Sequence, residues 1–270
     1  MSRPVTTVAL LARPEWQGYP EETRDPVDPR IWSAPLQALV PEPTREDLRS
    51  AVIAFSSQPS STCWLVFTSP ASVIAYQHWV RPAGQRLSPV FDRLAAVGSG
   101  TADQMRRSDI ESDKAIMVGA DAASADALAT IEAIANQLKS DGIDWHDQSF
   151  LIVGGVDNRS TLADGLRAHG ATVMSLPLYS RQDVEWSDVI WKRLSEFPHE
   201  TVIVITSSTV IERLMQSLVT HGIDPVSLHW ATHHATIAAR LSEQRIGRIR
   251  RVRLDSPELS RDLFEHEQYW

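Results

Sequence analysis

Apolar positions along the chain fall into two rhythms. Short continuous runs rich in Val, Ile and Leu occur at residues 7–12, 62–67, 94–97, 115–118, 150–153, 172–178, 201–205, 228–231 and 248–254. Their length and lack of alternation predict strands buried on both faces. Between them the period lengthens to that of a helix. The strongest such segment is 122–138, where Ser124 suits an N-cap, Leu128, Ile131, Ile134, Ala135 and Leu138 share a face, and Gly142 follows. Residues 162–169, closed by Gly170, form another. Strands alternating with helices predict an α/β fold with parallel sheets. The stretch 13–43 breaks the rhythm, since Pro14, Pro20, Pro26, Pro29, Pro35, Pro41 and Pro43 bar a continuous helix, and it is expected to be a long irregular connection.

The pattern also repeats. Residues 64–69 (WLVFTS) are echoed by 203–207 (IVITS) at an offset of 138, residues 96–102 by 231–237 at 135, and the strand ending at Ala12 matches 150–153 at about 141. Two diverged copies of one α/β unit account for this. A ligand of such an architecture is expected at the carboxyl ends of the strands and in the cleft between the domains. At Thr68-Ser69 and Thr206-Ser207, hydroxyls and free N–H groups meet where a strand gives way to a helix. Either plain N-capping or binding of a carboxylate or phosphate would use them.

Composition narrows the function. Of 270 residues, 43% are hydrophobic and 22% charged, which fits one large or two modest globular domains. Twenty-six basic against 34 acidic residues give a net charge of −8, which disfavours nucleic-acid binding. No apolar run approaches the roughly 20 residues of a membrane span. The lone Cys63 cannot form an internal disulfide, and no leader-like segment opens the chain, so a cytoplasmic protein is expected.

Several chemistries lack their motifs. Gly98-Ser99-Gly100 begins like a dinucleotide fingerprint, but Asp103 stands where the third glycine belongs. A two-domain dehydrogenase is therefore disfavoured. Neither a P-loop nor a G-x-S-x-G elbow occurs. His229, His233 and His234 could suggest a metal, but the first lies in a strand-like run, and the others are expected as exposed turn histidines. The basic run Arg245 to Arg253 fits an edge strand guarded by charge, with attraction of an anionic ligand as the other possibility. Nine scattered tryptophans suit core and cleft filling.

Taken in order, these segments resemble the uroporphyrinogen-III synthase family. The likeness rests on LLARP at 10–14, FTSPxxV at 67–73, AVGxxTA at 96–102, LIVxGxxxRxxL at 151–162, GAxV at 170–173 and YxR at 179–181. It implies a cofactor-free, cytoplasmic, monomeric enzyme of heme biosynthesis with two similar α/β domains on a two-stranded connector. One domain would be 1–36 with 184–270 and the other 44–176, with 37–43 and 177–183 as connector. The implied reaction cyclises the linear tetrapyrrole hydroxymethylbilane to uroporphyrinogen III, inverting ring D and losing water. Tyr179, matching the family's connector tyrosine, would assist departure of the hydroxyl. Thr68, Ser69, Gly98, Thr101, Gly155, Ser207, Ser208 and Thr236 would meet the substrate, with Arg13, Arg159 and Arg181 as counter-charges. The chain departs from the family at Gly154, at the proline-rich stretch where a first helix belongs, and at His233-His234, where Gly-Pro is usual. A non-catalytic two-domain module binding an anionic small molecule is the alternative.

Overall fold

The structure, a computed structural model, describes residues 8–16, 28–42, 45–56, 62–80, 91–108, 110, 115–118, 127–157, 160–254 and 256–264. In chain order the elements are β1 (Val8–Ala12), β2 (Glu15–Trp16), β3 (Ile31–Ser33), β4 (Gln37–Pro41), α1 (Arg45–Ser56), β5 (Thr62–Phe67), α2 (Pro70–Ala75), β6 (Arg93–Ala96) and α3 (Ser99–Arg107). Then come β7 (Ile116–Val118), α4 (Ala127–Asp141), β8 (Gln148–Gly155), α5 (Thr161–Ala168), β9 (Thr172–Asp183), α6 (Asp188–Glu196) and β10 (Thr201–Ile205). The chain closes with α7 (Ile211–Thr220), β11 (His229–Thr232), α8 (Ala235–Glu243), β12 (Ile249–Arg251) and α9 (Ser256–Phe264).

These form two compact units, the described parts of Met1–Leu39 with Gln182–Trp270 (unit 1) and of Val40–Arg181 (unit 2). Unit 1 holds a parallel sheet in the order β12-β11-β10-β1-β3. In unit 2 the parallel order is β9-β8-β5-β6-β7. The strand echoes seen in the sequence become equivalent positions: β5 and β10, β6 and β11, β8 and β1. In each sheet the chain winds outward to one side and resumes on the other, so β5/β8 and β1/β10 are the points where the winding reverses.

Period-two alternation across the buried strands sorts side chains to two faces. In unit 1, Val8, Leu10, Ile203, Ile205 and Trp230 pack with Ile190 and Leu194 of α6 and with Leu214 and Leu218 of α7, while Ala9, Val202, Val204 and Ala231 face Leu259 and Leu263 of α9. In unit 2, Trp64 stacks on Phe150 with ring centroids 5.4 Å apart, against Ile134 and Leu138 of α4 and Leu162 and Leu166 of α5. The buried Trp64 indole N–H is satisfied by Gln148 Oε1 at 2.9 Å, as a buried donor requires.

The proline-rich stretch is not the irregular connection expected of it. Among its described residues lie β2, β3 and β4, with no helix. Proline bars helix but suits extended backbone at strand margins and sheet edges. Pro29 and Pro35 accordingly flank β3, itself an edge strand, and Pro41 ends β4. The expected N-cap Ser124 lies outside the described residues. The basic run contributes the edge strand β12.

The chain crosses between the units along β4 and β9, which are neighbours. Glu42 N donates to Leu178 O and Val184 N to Leu36 O, so the crossings run antiparallel. Arg213 of α7 fastens one end of both: Nη2 donates to Leu36 O (2.6 Å) and Val184 O (2.7 Å), and Nη1 pairs with Asp183 at 2.8 Å. Arg213→Met takes the side-chain donor from Val184 O and one of two donors from Leu36 O, and should cost about 2 kcal/mol in denaturant unfolding; an unchanged midpoint would show that water replaces the guanidinium freely.

Candidate active site

Parallel strands bring their carboxyl ends to one edge, so each unit gathers its strand-end turns along a single line. In unit 2, β5 gives way to α2 through Thr68 and Ser69. Thr68 Oγ1 donates to Val153 O of β8 at 3.2 Å. Ser69 caps α2: its Oγ accepts from Ser72 N (3.1 Å), and Ser72 Oγ accepts from Ser69 N (3.2 Å), a reciprocal capping box. Capping does not exhaust the serine. Its Oγ also lies 3.0 Å from the Tyr179 hydroxyl.

Tyr179 owes its place to a slip in register, with Gly154 opposite Pro177 but Gly155 opposite Tyr179. Such a bulge re-aims the side chains after it. Gly155 makes the room: a Cβ there would stand 3.0 Å from Cε2 and 3.2 Å from Cζ of the phenol ring and 2.8 Å from Asp157 Oδ1. Arg181 Nη2 donates to the Tyr179 hydroxyl at 3.4 Å, its guanidinium carbon lies 5.3 Å from the ring centroid, and Nη1 is paired with the Asp157 carboxylate. Tyr179 is fully buried, while Ser69 and Arg181 are half-buried. Burial pushes the phenol above its ordinary pKa, opposed by the Arg181 charge and the Ser69 hydrogen bond. The result is a phenol held protonated, with a cation and a hydroxyl ready to stabilise its anion.

The other expected positions of unit 2 divide. Gly98 caps α3 at φ 88°, a left-handed backbone that favours glycine. Thr101 is buried and donates its hydroxyl to Val97 O at 3.0 Å. Arg159 lies outside the described residues.

Unit 1 repeats the plan with different chemistry. Thr206 Oγ1 donates to Ala12 O of β1 at 3.3 Å, the counterpart of the Thr68 bond. Ser207 caps the turn that follows, accepting from Thr209 N at 3.4 Å, with Ser208 half-buried beside it. Arg13 leaves the end of β1 exposed. At the end of β11 the histidines are not the exposed turn residues expected. His229 is buried within the strand, and His233 and His234 are half-buried. His233 occupies the place of Gly98 without a left-handed backbone; Arg245 is the one non-glycine of positive φ among the described residues. The helix therefore starts one residue later than the offset implies, and His234 caps it, its Nδ1 accepting from N of the exposed Thr236 at 3.2 Å. Arg251 Nη2 donates to His233 O at 2.7 Å. Burial, then His234, Arg251 and Arg13, push the His233 imidazole down to about 4.

Sequence reasoning does not find Asp157, His234 as a cap or Arg251. Asp157 has a signal, being the carboxylate that follows Gly155 in the Gly155-to-Arg159 loop. Arg251 is submerged among the other arginines of its run.

Two parallel α/β units, each with hydroxyls and cations at its strand-end edge, define a two-domain α/β protein. Comparison makes this specific. The family model described as HEM4, uroporphyrinogen-III synthase HemD, matches residues 30–250, and the chain belongs to the uroporphyrinogen-III synthase family. It is accordingly a cyclising hydro-lyase of porphyrin biosynthesis. The fold is similar to that of uroporphyrinogen-III synthetase from Helicobacter pylori, at 13% identity over 95% of this chain and 96% of that one, with a TM-score of 0.54. A mutant uroporphyrinogen III synthase from the extremely thermophilic bacterium Thermus thermophilus is similar at 13% identity over 97% and 98%, with a TM-score of 0.56. No curated protein sequence matches. No helix among the described residues is long and apolar enough to cross a membrane.

Two outcomes follow from this geometry. Gly155→Ala should displace the Tyr179 ring and lower melting temperature by several degrees, about 1–3 kcal/mol of overpacking; an unperturbed crystal structure of the variant would refute the close fit. His233 and His229 both have lowered folded pKa values. The unfolded chain therefore binds protons that the folded one refuses, and the stability present above about 6.5 is lost as pH falls toward about 4. Thermal melts across that window should decline less steeply in His233→Gln than in wild type.

Proposed function

We propose that Tyr179 is the acid of ring closure and that Ser69 is the exposed end of its proton path. The carrying observation is the 3.0 Å contact between the two hydroxyls with Arg181 on the phenol. Hydroxymethylbilane must lose the hydroxyl of ring A. A proton passing from the phenol through Ser69 to that oxygen lets it depart as water and leaves an azafulvene cation. Ring D then attacks through its substituted α-carbon, and the spirocyclic pyrrolenine so formed fragments and recombines with ring D inverted. The proton released on aromatisation returns to the phenolate, which Arg181 stabilises meanwhile. Positioning supplies the selectivity, because only a constrained chain offers that carbon of ring D.

The substrate is polyanionic and the chain carries −8, so its carboxylates need local donors rather than long-range attraction. Ser69, Gly98, Gly155, Arg159 and Arg181 are assigned to this task in unit 2, where Thr68 and Thr101 shape the turns through their bonds to Val153 O and Val97 O, and Arg13, Ser207, Ser208 and Thr236 in unit 1. We take the protein to act as a cytoplasmic monomer without a cofactor.

The deciding experiment is incubation with freshly prepared hydroxymethylbilane and separation of the isomers. Isomer III is expected, and isomer I alone, the product of spontaneous closure, would overturn the assignment. Tyr179→Phe should lower turnover about 10- to 1,000-fold while still giving isomer III, because position and not the phenol selects the carbon. Ser69→Ala should also slow turnover, with about 1 kcal/mol of stability lost with its cap. Full activity in Tyr179→Phe would reduce the phenol to a packing group.

A further inference from the structure

The basic run at the end of the chain separates into arginines with different duties. Arg253 is neutralised: its guanidinium and backbone N–H meet the Asp262 carboxylate, with Nη2 at 3.4 Å and N at 3.0 Å. Elsewhere Arg93 pairs with Asp141 at 2.6 Å, Arg213 with Asp183, and Arg181 with Asp157. Arg251 differs. Its side chain donates to a neutral carbonyl, His233 O, and neither it nor Arg13 pairs with a carboxylate among the described residues. Both charges act on the same His233 imidazole, whose buried Nδ1 has no hydrogen-bond partner among the described residues. In a chain with an excess of carboxylates, two arginines without a carboxylate partner that both act on one imidazole invite an anion.

Topology explains the convergence. Arg251 lies opposite Thr232 in the β11–β12 register, so it ends β12 beside the residue that precedes His233. Arg13 follows the last residue of β1 in the same parallel sheet, with β10 between β1 and β11, so the two side chains approach the end of β11 from opposite sides. The first copy has no equivalent: where unit 1 carries His233, unit 2 carries Gly98, which has no side chain.

We propose that Arg251, Arg13 and the His233 imidazole form a carboxylate clamp in unit 1 that holds one acidic side chain of the tetrapyrrole. The assignment rests on the reading above that this chain works on that polyanion, and it gives unit 1 the task of gripping while unit 2 supplies the acid. His233 acts as a neutral donor, because burial and then the neighbouring positive charges disfavour its protonated form.

The test compares Arg251→Gln with Arg253→Gln, a control of the same charge change in the same run. Arg251→Gln should raise KM for hydroxymethylbilane about tenfold or more, the scale of one charge-assisted hydrogen bond, with kcat within about twofold. Arg253→Gln should leave KM unaltered and lower the melting temperature instead. Equal KM in wild type and Arg251→Gln would overturn the clamp. A second readout needs no turnover: equilibrium binding of uroporphyrin, the oxidised form of the cyclised product, followed by tryptophan quenching. Binding at least tenfold weaker in Arg251→Gln supports the clamp even if isomer III were not formed, which would count against the catalytic reading alone. Binding that is equal in both, or absent from wild type, would overturn it.

Discussion

A threonine hydroxyl donated to a carbonyl of the neighbouring strand ties each sheet at the point where its winding reverses. Where winding reverses, adjacent strands send their chains in opposite directions, and Val153 O accepts both the backbone N–H of Thr68 at 3.1 Å and its hydroxyl. Thr68 closes that joint on Val153 and Thr206 on Ala12. With the joint closed, the next residue, Ser69 or Ser207, is fixed at the strand-end edge with its hydroxyl free to do more than cap. The site chemistry of both units is built outward from this bond.

The two copies have elaborated that shared frame differently. Unit 2 carries a buried phenol, reached by a bulge in β9 and a glycine that clears its ring. Unit 1 carries charge, with a pair of imidazoles where unit 2 keeps a glycine turn. Divergence of this kind suits an asymmetric reaction, in which one end of a linear substrate is activated and another must be steered.

Much of this is legible in the sequence because buried parallel strands leave continuous apolar runs, and every such run forms a strand within a few residues. The repeat is legible for the same reason, since identical packing demands keep Thr-Ser at the same point. The stretch 13–43 misleads because prolines exclude helix without excluding short strands, as the edge strand β3 and the connector strand β4 show. Tyr179 is found by resemblance; its partners Asp157 and Arg181 form a geometry created by a one-residue register slip, which no periodicity records. The histidines mislead because the half-burial of His233 and His234 after β11 comes from the packed sheet and helix around them, which a turn-like spacing does not record. Arg251 itself cannot be singled out until pairing with Asp262 removes Arg253 from the set.

The placement of β1 carries a consequence for synthesis. It sits between β10 and β3, at the interior of its sheet, yet it leaves the ribosome before unit 2 and β10 only after all of it. Unit 2 is contiguous and can complete itself during translation, whereas the nascent β1 must wait, apolar and with its β10 edge unmet, until the carboxyl-terminal strands emerge. Closure of so long a loop makes unit 1 the slow half of folding. A growing chain of this protein therefore passes through a stage in which one half is finished and the other is a sticky ribbon, and it is at that stage that chaperone capture has something to hold.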